Sequence, residues 1–483
     1  MKRFIQGEHR SQAILLPECL DDYITETNPV RVVDVFVDEL NLAQLGFDGV
    51  NPAITGRPSY HPSILLKIYI YGYLNRIQSS RRLEREAQRN IELMWLTHRL
   101  APDFKTIANF RLENGKAIRQ VCKQFIELCR RMHLFTEAVV AVDGSKFKAV
   151  NSRDKCFTQA KIKFRMQQVE AHINQYLMAL DTADQHEGHQ PAIKSIRLTE
   201  RLAELKQQMQ ALQAIEAQSQ LTPDKQVVLT DPDARFMATS KSGGGMVAYN
   251  VQTAVDTQNH LIVAHEVTNN ASDRSQLTNM SVQAQQAMGV NEITAYADKG
   301  YFKSEEILAS TQVGVTPLVP RPLTSGNRAE GLYDRKDFIY LADKDEYRCP
   351  ANQALIKRYT SFEQGKVLHT YWSSSCKSCT LKSKCTPSTE RRIRRWEHEA
   401  VLDEMQSRLN AQPNAMLIRK QTVEHPFGTI KSWMGATHFQ TRGLEKVRTE
   451  MSLHVLAYNL KRVIKLLGSA ALIQAMQSGL NHC

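Results

Sequence analysis

The stretch from Ala138 to Lys148, AVVAVDGSKFK, constrains this chain more than any other: a β-branched apolar run that ends in Asp143-Gly144-Ser145. Such a run, stopped by turn-forming residues, reads as a strand buried on both faces in the middle of a sheet. Asp143 then stands at the strand's exit. A carboxylate there costs several kcal/mol to remove from water unless a positive group meets it, so a basic side chain or a metal ion is expected beside it.

A chain of 483 residues is too long for one core, and units of about 100–200 residues give three or so domains. The net charge of +12 favours a polyanionic partner. No uninterrupted apolar window of about 20 residues is present, which argues against a membrane span. The opening MKRFIQGEHRSQ has no apolar core of signal-peptide length, so a cytoplasmic protein is expected. Nine scattered cysteines, an odd number, do not read as a secreted disulfide framework.

Residues 1–132 read as a helical domain. Asn28-Pro29 starts an amphipathic helix with Val30, Val33, Val37 and Leu40 on one side, and Ile64 to Leu74 forms an apolar helix after the breaks at Gly56-Arg57-Pro58 and His61-Pro62. The basic segment carrying Arg81, Arg82 and Arg85, then a helix over DFKTIANFRLEN with Lys105, Asn109 and Arg111, would suit a helix pair laid into a DNA groove. After Asp143, the spacing of Ile162, Met166, Val169, Ile173, Leu177 and Leu180, and of Leu198, Leu202, Leu205, Met209 and Leu212, predicts a helical hairpin over 161–220. His186 and His189 in its turn read as solvated side chains. Residues 244–267 read as an antiparallel hairpin, followed by a helix and by EITAYAD, a strand ending in Asp298. Asp273 reads as the N-cap of that helix, and Asp256 as a turn residue.

Residues 320–409 shift towards charged residues, Pro and Ser, and carry Cys349, Cys376, Cys379 and Cys385. Thiolates at CxxC spacing with two more cysteines can share one tetrahedral Zn²⁺, a closed and therefore structural site. Glu424 lies in RKQTVEHPFGTIK, where Lys420, Glu424, Phe427 and Lys431 share a helical face unless Pro426 moves the helix start to near Glu424. The chain closes on a helix with Met451, Val455 and Tyr458 in its apolar stripe, expected on the sheet.

Asp143-Gly, Asp298-Lys-Gly-Tyr and Glu424 with Lys431 seven residues on resemble the DDE transposases of bacterial insertion sequences, in particular the IS1182-like branch of the IS4/IS5 group. The likeness spans nearly the whole chain. It implies an α/β fold with an RNase H-like mixed-sheet core (133–160, 221–319 and 410–468), an N-terminal helical DNA-binding domain (1–132), a helical-hairpin insertion (161–220) and a Cys-rich insertion (320–409). It also implies that Asp143, Asp298 and Glu424 hold two Mg²⁺ ions, with Mn²⁺ able to substitute, Asp143 bridging both. Two such ions, about 3.5–4 Å apart, stabilise the attacking and leaving oxygens of a phosphodiester.

The family's common Tyr-x2-Arg-x3-Glu-x6-Lys pattern is met at Glu424 and Lys431, while Leu417 stands at the Tyr position and Lys420 at the Arg position. Lys420 keeps the charge but not the bidentate fork, which Arg419 could supply; Lys431 would grip a DNA phosphate. Implied partners are terminal inverted repeats, target DNA and a second copy in a synaptic homodimer. Two other readings stand beside cut-and-paste transposition: a non-catalytic DNA-binding regulator descended from such an enzyme, and a metal-dependent nuclease that cuts without joining.

Overall fold

The computed structural model describes residues 19–52, 58–184, 191–222, 224–239, 244–322 and 326–479. It begins with helices α1 (Pro29–Asp38), α2 (Pro62–Leu74), α3 (Ser80–Ala87), α4 (Ile91–Leu96), α5 (Phe104–Glu113) and α6 (Gly115–Arg131). Asn28 starts α1 as expected: its side chain accepts from the Val30 N–H at 2.9 Å, with Pro29 in the first turn. Helix α2 is buried almost all round, and its one charge, Lys67, is met by Asp34 at 2.6 Å and Asp38 at 2.7 Å from α1. An unpaired ammonium there would be costly.

The central sheet is mixed. Strand β1 (Val139–Lys148) pairs antiparallel with β2 (Gly245–Asp256), and β2 with β3 (Ile262–Thr268). On its other edge β1 pairs parallel with β4 (Ile293–Tyr296), and β4 with β5 (Val315–Leu318). The resulting order is 3-2-1-4-5, with a short strand at Arg235–Ala238 added beside β2. One expectation is corrected here. β1 does not stop at Asp143 but continues to Lys148, because Asp143, Gly144 and Ser145 pair with Thr253, Gln252 and Val251.

Between β1 and β2 the chain makes a helical hairpin, α7 (Gln159–Asp184) and α8 (Pro191–Gln220). Its seam follows the expected spacing, except that Tyr176 packs into it while Leu177 is exposed. His186 and His189 lie outside the described residues. Helix α9 (Leu277–Met288) covers one face of the sheet against Val140, Val142 and Ala254, and α10 (Ser304–Gln312) follows β4.

The Cys-rich segment, expected as an insertion, folds into its own antiparallel sheet: β6 (Ile339–Leu341), β7 (Glu346–Arg348), β8 (Ala354–Glu363), β9 (Lys366–Trp372) and β10 (Ile393–Trp396), in that order across the sheet. The β8–β9 hairpin turns on Gln364 and Gly365, both left-handed (φ 50° and 78°), the pairing that matches strand twist.

Helices α11 (Glu399–Ala411) and α12 (Ala415–Gly428) then return the chain to the second face of the central sheet, where Ala415 and Val423 pack on Ala141, Tyr296 and Leu318. The alternative start near Glu424 is not the one found: α12 begins at Ala415 and carries Pro426 inside it. Proline has no N–H for the Thr422 carbonyl, so that helical bond is missing. The helix passes into a π-turn at Thr429–Trp433. Helix α13 (Leu444–Leu467) is buried on every side from Thr449 to Leu460. It packs on the sheet as expected, and the N-terminal helices cover its other side, so α1, α2, α6, β2 and α13 share one continuous core. Helix α14 (Ser469–Gly479) ends the described chain. Among the described residues no helix is long and apolar enough to cross a membrane.

Candidate acidic site beside the central strands

The parallel ladder between β1 and β4 ends at the pair Ala141↔Tyr296. Asp143 lies two residues beyond Ala141, and Asp298 two residues beyond Tyr296. Both segments stay extended, so side chains alternate, and Asp143 and Asp298 leave the sheet on the face that Ala141 and Tyr296 turn towards α12. Neighbouring strands stand about 4.8 Å apart, which sets these carboxylates side by side.

Their electrostatics agree. The Asp143 carboxyl is pushed up to about 6, chiefly by burial, and Asp298 and Asp273 add like-charge repulsion. Arg419 and the Gly144 N–H pull the other way. Arg419 Nη2 reaches Asp143 Oδ1 at 2.6 Å, so the positive group that a buried carboxylate demands is, in this state, a guanidinium. Asp298 Oδ1 accepts the Gly300 N–H at 2.7 Å, closing the short turn Lys299–Tyr301.

Glu424 is not brought to this pair. It is 65% exposed on α12 and lies 3.9 Å from Lys420, itself 64% exposed. Arg419 and Val423, four apart, face the sheet; Glu424, one residue on, is turned about 100° away. Leu417, at the family's Tyr position, is also exposed. The face expected to join Lys420, Glu424, Phe427 and Lys431 is therefore split. Lys431 is tied to β1, its ammonium donating to Ser145 Oγ at 2.6 Å and to the Lys146 carbonyl at 3.0 Å and lying 4.5 Å from the Phe147 ring centroid. Burial lowers its pKa and Asp143 opposes that shift. Among the described residues no three His, Cys, Asp or Glu side chains stand close enough to hold a metal ion.

Asp273, Gln252 and Tyr301 were not singled out as site residues from the sequence. Asp273 does not cap α9, whose N-cap is Gln276; its Oδ1 accepts from Asn250 Nδ2 and Gln252 Nε2, both at 2.7 Å. Gln252 Oε1 in turn accepts from the buried Tyr301 hydroxyl. Gly144 is needed beneath them, since a Cβ there would collide with Gln252 and stand 2.7 Å from Asp273 Oδ1. The Gly next to Asp143 and the Tyr after Asp298-Lys-Gly were the available signals.

Of the expected DNA contacts on the N-terminal helices, Arg82, Arg85 and Lys105 are exposed, and Arg81 lies over the Phe104 ring, joining α3 to α5. Arg111 is a correction. It turns inward, donates to the Tyr73 hydroxyl at 3.1 Å and lies over Tyr69, a cation inside the helical core. The four cysteines line one cavity of about 30 Å³ under Tyr333 and Phe338. Burial raises the Cys385 thiol and Arg391 opposes it, with Cys349, Cys376 and Cys379 near enough to add to the rise. The Gln353 N–H donates to Cys349 Sγ at 3.3 Å.

Comparison with known proteins adds three findings. A cryo-EM structure of the piggyBac transposase synaptic complex with hairpin DNA aligns with a TM-score of 0.32 and 8% identity, over 94% of this chain and 79% of that one, a likeness too slight to argue from. No curated protein sequence matches the chain. Residues 18–113 match the Transposase domain (DUF772) family, and residues 348–464, which include α12, match the Transposase DDE domain family. One transposase domain near the start of the chain and another towards its end support its reading as a DDE transposase of an insertion sequence.

Proposed function

We propose that the protein binds the terminal inverted repeats of its own element, cleaves the DNA there and joins the freed 3′-OH to target DNA, working as a synaptic homodimer on an RNase H-like core. The 3-2-1-4-5 strand order, with β2 and β3 antiparallel and β4 and β5 parallel to their neighbours, supports that core. The observation that carries the reading is the common register of Asp143 and Asp298, two residues past one ladder pair on adjacent strands. The donor set is chemically suited to a hard divalent cation: carboxylates that repel one another, half-withdrawn from water. Mg²⁺ held by Asp143 and Asp298, with Glu424 completing the set once α12 turns inward on DNA, would supply the charge that phosphodiester cleavage needs at the reacting oxygens.

The chain's own residues divide the remaining tasks. Arg419 neutralises Asp143 until a cation replaces it. Lys431 braces β1 beside Asp143, while Lys420, exposed next to Glu424, is free to meet a phosphate. Arg82, Arg85 and Lys105 offer exposed charge for the duplex. The deciding assay offers the protein a duplex of its own element end with Mg²⁺, then a pre-cleaved end with target plasmid. Nicking followed by joining is expected. Nicking without joining would indicate a nuclease. Binding with neither would indicate the regulator, a second reading that the Arg419–Asp143 pair and the exposed Glu424 favour.

For the insertion, we propose structural zinc held by Cys349, Cys376, Cys379 and Cys385. The sheet β6–β10 has a small buried core of its own, Phe338, Tyr347, Leu355, Tyr371 and Ile393. A core of that size is commonly supplemented by a staple. The cavity is large enough for an ion, and the thiols lining it would have to draw in to hold one. Elemental analysis should find about one zinc per chain. Metal-free protein with four titratable thiols would overturn the site.

A further inference from the structure

Asp143 is held within the β1–β2 ladder, but Asp298 is not: its ladder with β1 ended at Tyr296, and the last strand bond nearby runs from the Ala297 N–H to the Leu318 carbonyl at 3.3 Å. The segment carrying Asp298 is a single turn, and something else must fix where it stands. Tyr301, 1% exposed at the end of that turn, does so through its hydroxyl, which donates to Gln252 Oε1. Gln252, wholly buried, lies opposite Gly144, the neighbour of Asp143. A carboxamide could face either way, yet Asp273 removes the choice. An ionised carboxylate only accepts, so Gln252 must present its N–H₂ to Asp273 and its oxygen to Tyr301. Asn250 donates to the same Asp273 oxygen and holds it in place.

We infer that Asp273, acting through Gln252 and Tyr301, is a positioning residue that sets the spacing of Asp143 and Asp298 for a shared divalent cation, an inference that rests on the catalytic reading above. The connection runs from one carboxylate segment to the other through the buried side chains of Gln252 and Tyr301. It also accounts for glycine at 144, since the Asp273–Gln252 contact fills the space a side chain would take.

The test is a calorimetric titration of the full chain with Mn²⁺, which needs no turnover. Tyr301→Phe removes one oxygen and keeps the ring. It should weaken Mn²⁺ binding about tenfold, the usual cost of losing an outer partner of a metal ligand, with melting temperature and element-end binding unchanged. Asp273→Asn should do the same by freeing the Gln252 amide to turn over, and the double variant should be no worse than either single one. Wild-type protein that takes up no Mn²⁺ sinks the catalytic reading and the relay with it. Wild-type protein that binds Mn²⁺ while both variants titrate identically to it sinks the relay alone. A loss of affinity matched by a fall in melting temperature in both variants also overturns it, as ordinary destabilisation.

Discussion

The acids on the sheet and the acid on the helix are held in different ways. Asp143 and Asp298 follow adjacent parallel strands at the same distance from one ladder pair, so backbone hydrogen bonds position one and nearly position the other. Glu424 depends on the rotation of α12, and the side of α12 turned to the sheet carries Arg419 and Val423. A strand offers two directions for a side chain; a helix offers a full circle, and packing chooses among them. On the proposed reading the sheet half of the site is already in register, and the helix half needs α12 to turn.

The sharpest way to break this contrast is at the sheet half. Asp143→Ala should lower end cleavage by about 10³-fold or more, the scale of losing several kcal/mol of transition-state stabilisation, while end binding measured by gel shift stays within about twofold. Equal loss of both would mean that Asp143 is an architectural residue paired with Arg419.

Glu424→Gln probes the helix half and should cost about 10²-fold in cleavage. Because Glu424 stands in solvent without DNA, the same change should leave Mn²⁺ affinity of the free protein unaltered. Cleavage by Glu424→Gln at the wild-type rate would remove α12 from the chemistry. Weakened Mn²⁺ binding without DNA would show that Glu424 already reaches the pair.

How much of this could be read beforehand follows the same line. The strands were legible because Ala138–Val142, the 244–267 hairpin and EITAYA are short apolar or alternating runs with clear stops, and an acid at a fixed offset from such a run inherits its placement. Tertiary choices were not legible. Whether the α12 face centred on Arg419 or on Lys420 and Glu424 meets the sheet depends on the partner surface, and so does Arg111 turning inward to Tyr69 and Tyr73. Asp273 looked like a helix cap because local bonding is what sequence shows; its partners lie on β2, more than 20 residues upstream. The insertion sheet was the avoidable omission, since VLHTYW after Gln364-Gly365 is a hairpin signal.

Arg419 offers a finer test of how the two halves meet. It holds the place beside Asp143 that a cation would take, so Arg419→Ala should tighten Mn²⁺ binding to the DNA-free chain by about fivefold, a competing positive charge having been removed. Weaker binding would make Arg419 a support for Asp143, not its rival.

The test furthest from the acids concerns the helices behind the sheet. His454 on α13 is buried against the Tyr73 ring (4.6 Å between centroids), and burial, with Arg111 adding, pushes its pKa down to about 3. An unfolded chain takes up that proton near pH 6.5 and the folded one does not, so the contribution is fully present above pH 6.5 and is lost as pH falls towards 3. The His454 contribution should therefore fall by about 1.4 kcal/mol per pH unit between roughly pH 6 and 4, read as the difference in denaturant midpoints between wild type and His454→Phe. His454→Phe should flatten that slope even if it lowers stability at pH 7. An unchanged slope would mean that the acid-sensitive part of the scaffold lies elsewhere and that the helical side is as robust to protonation as the strands it supports.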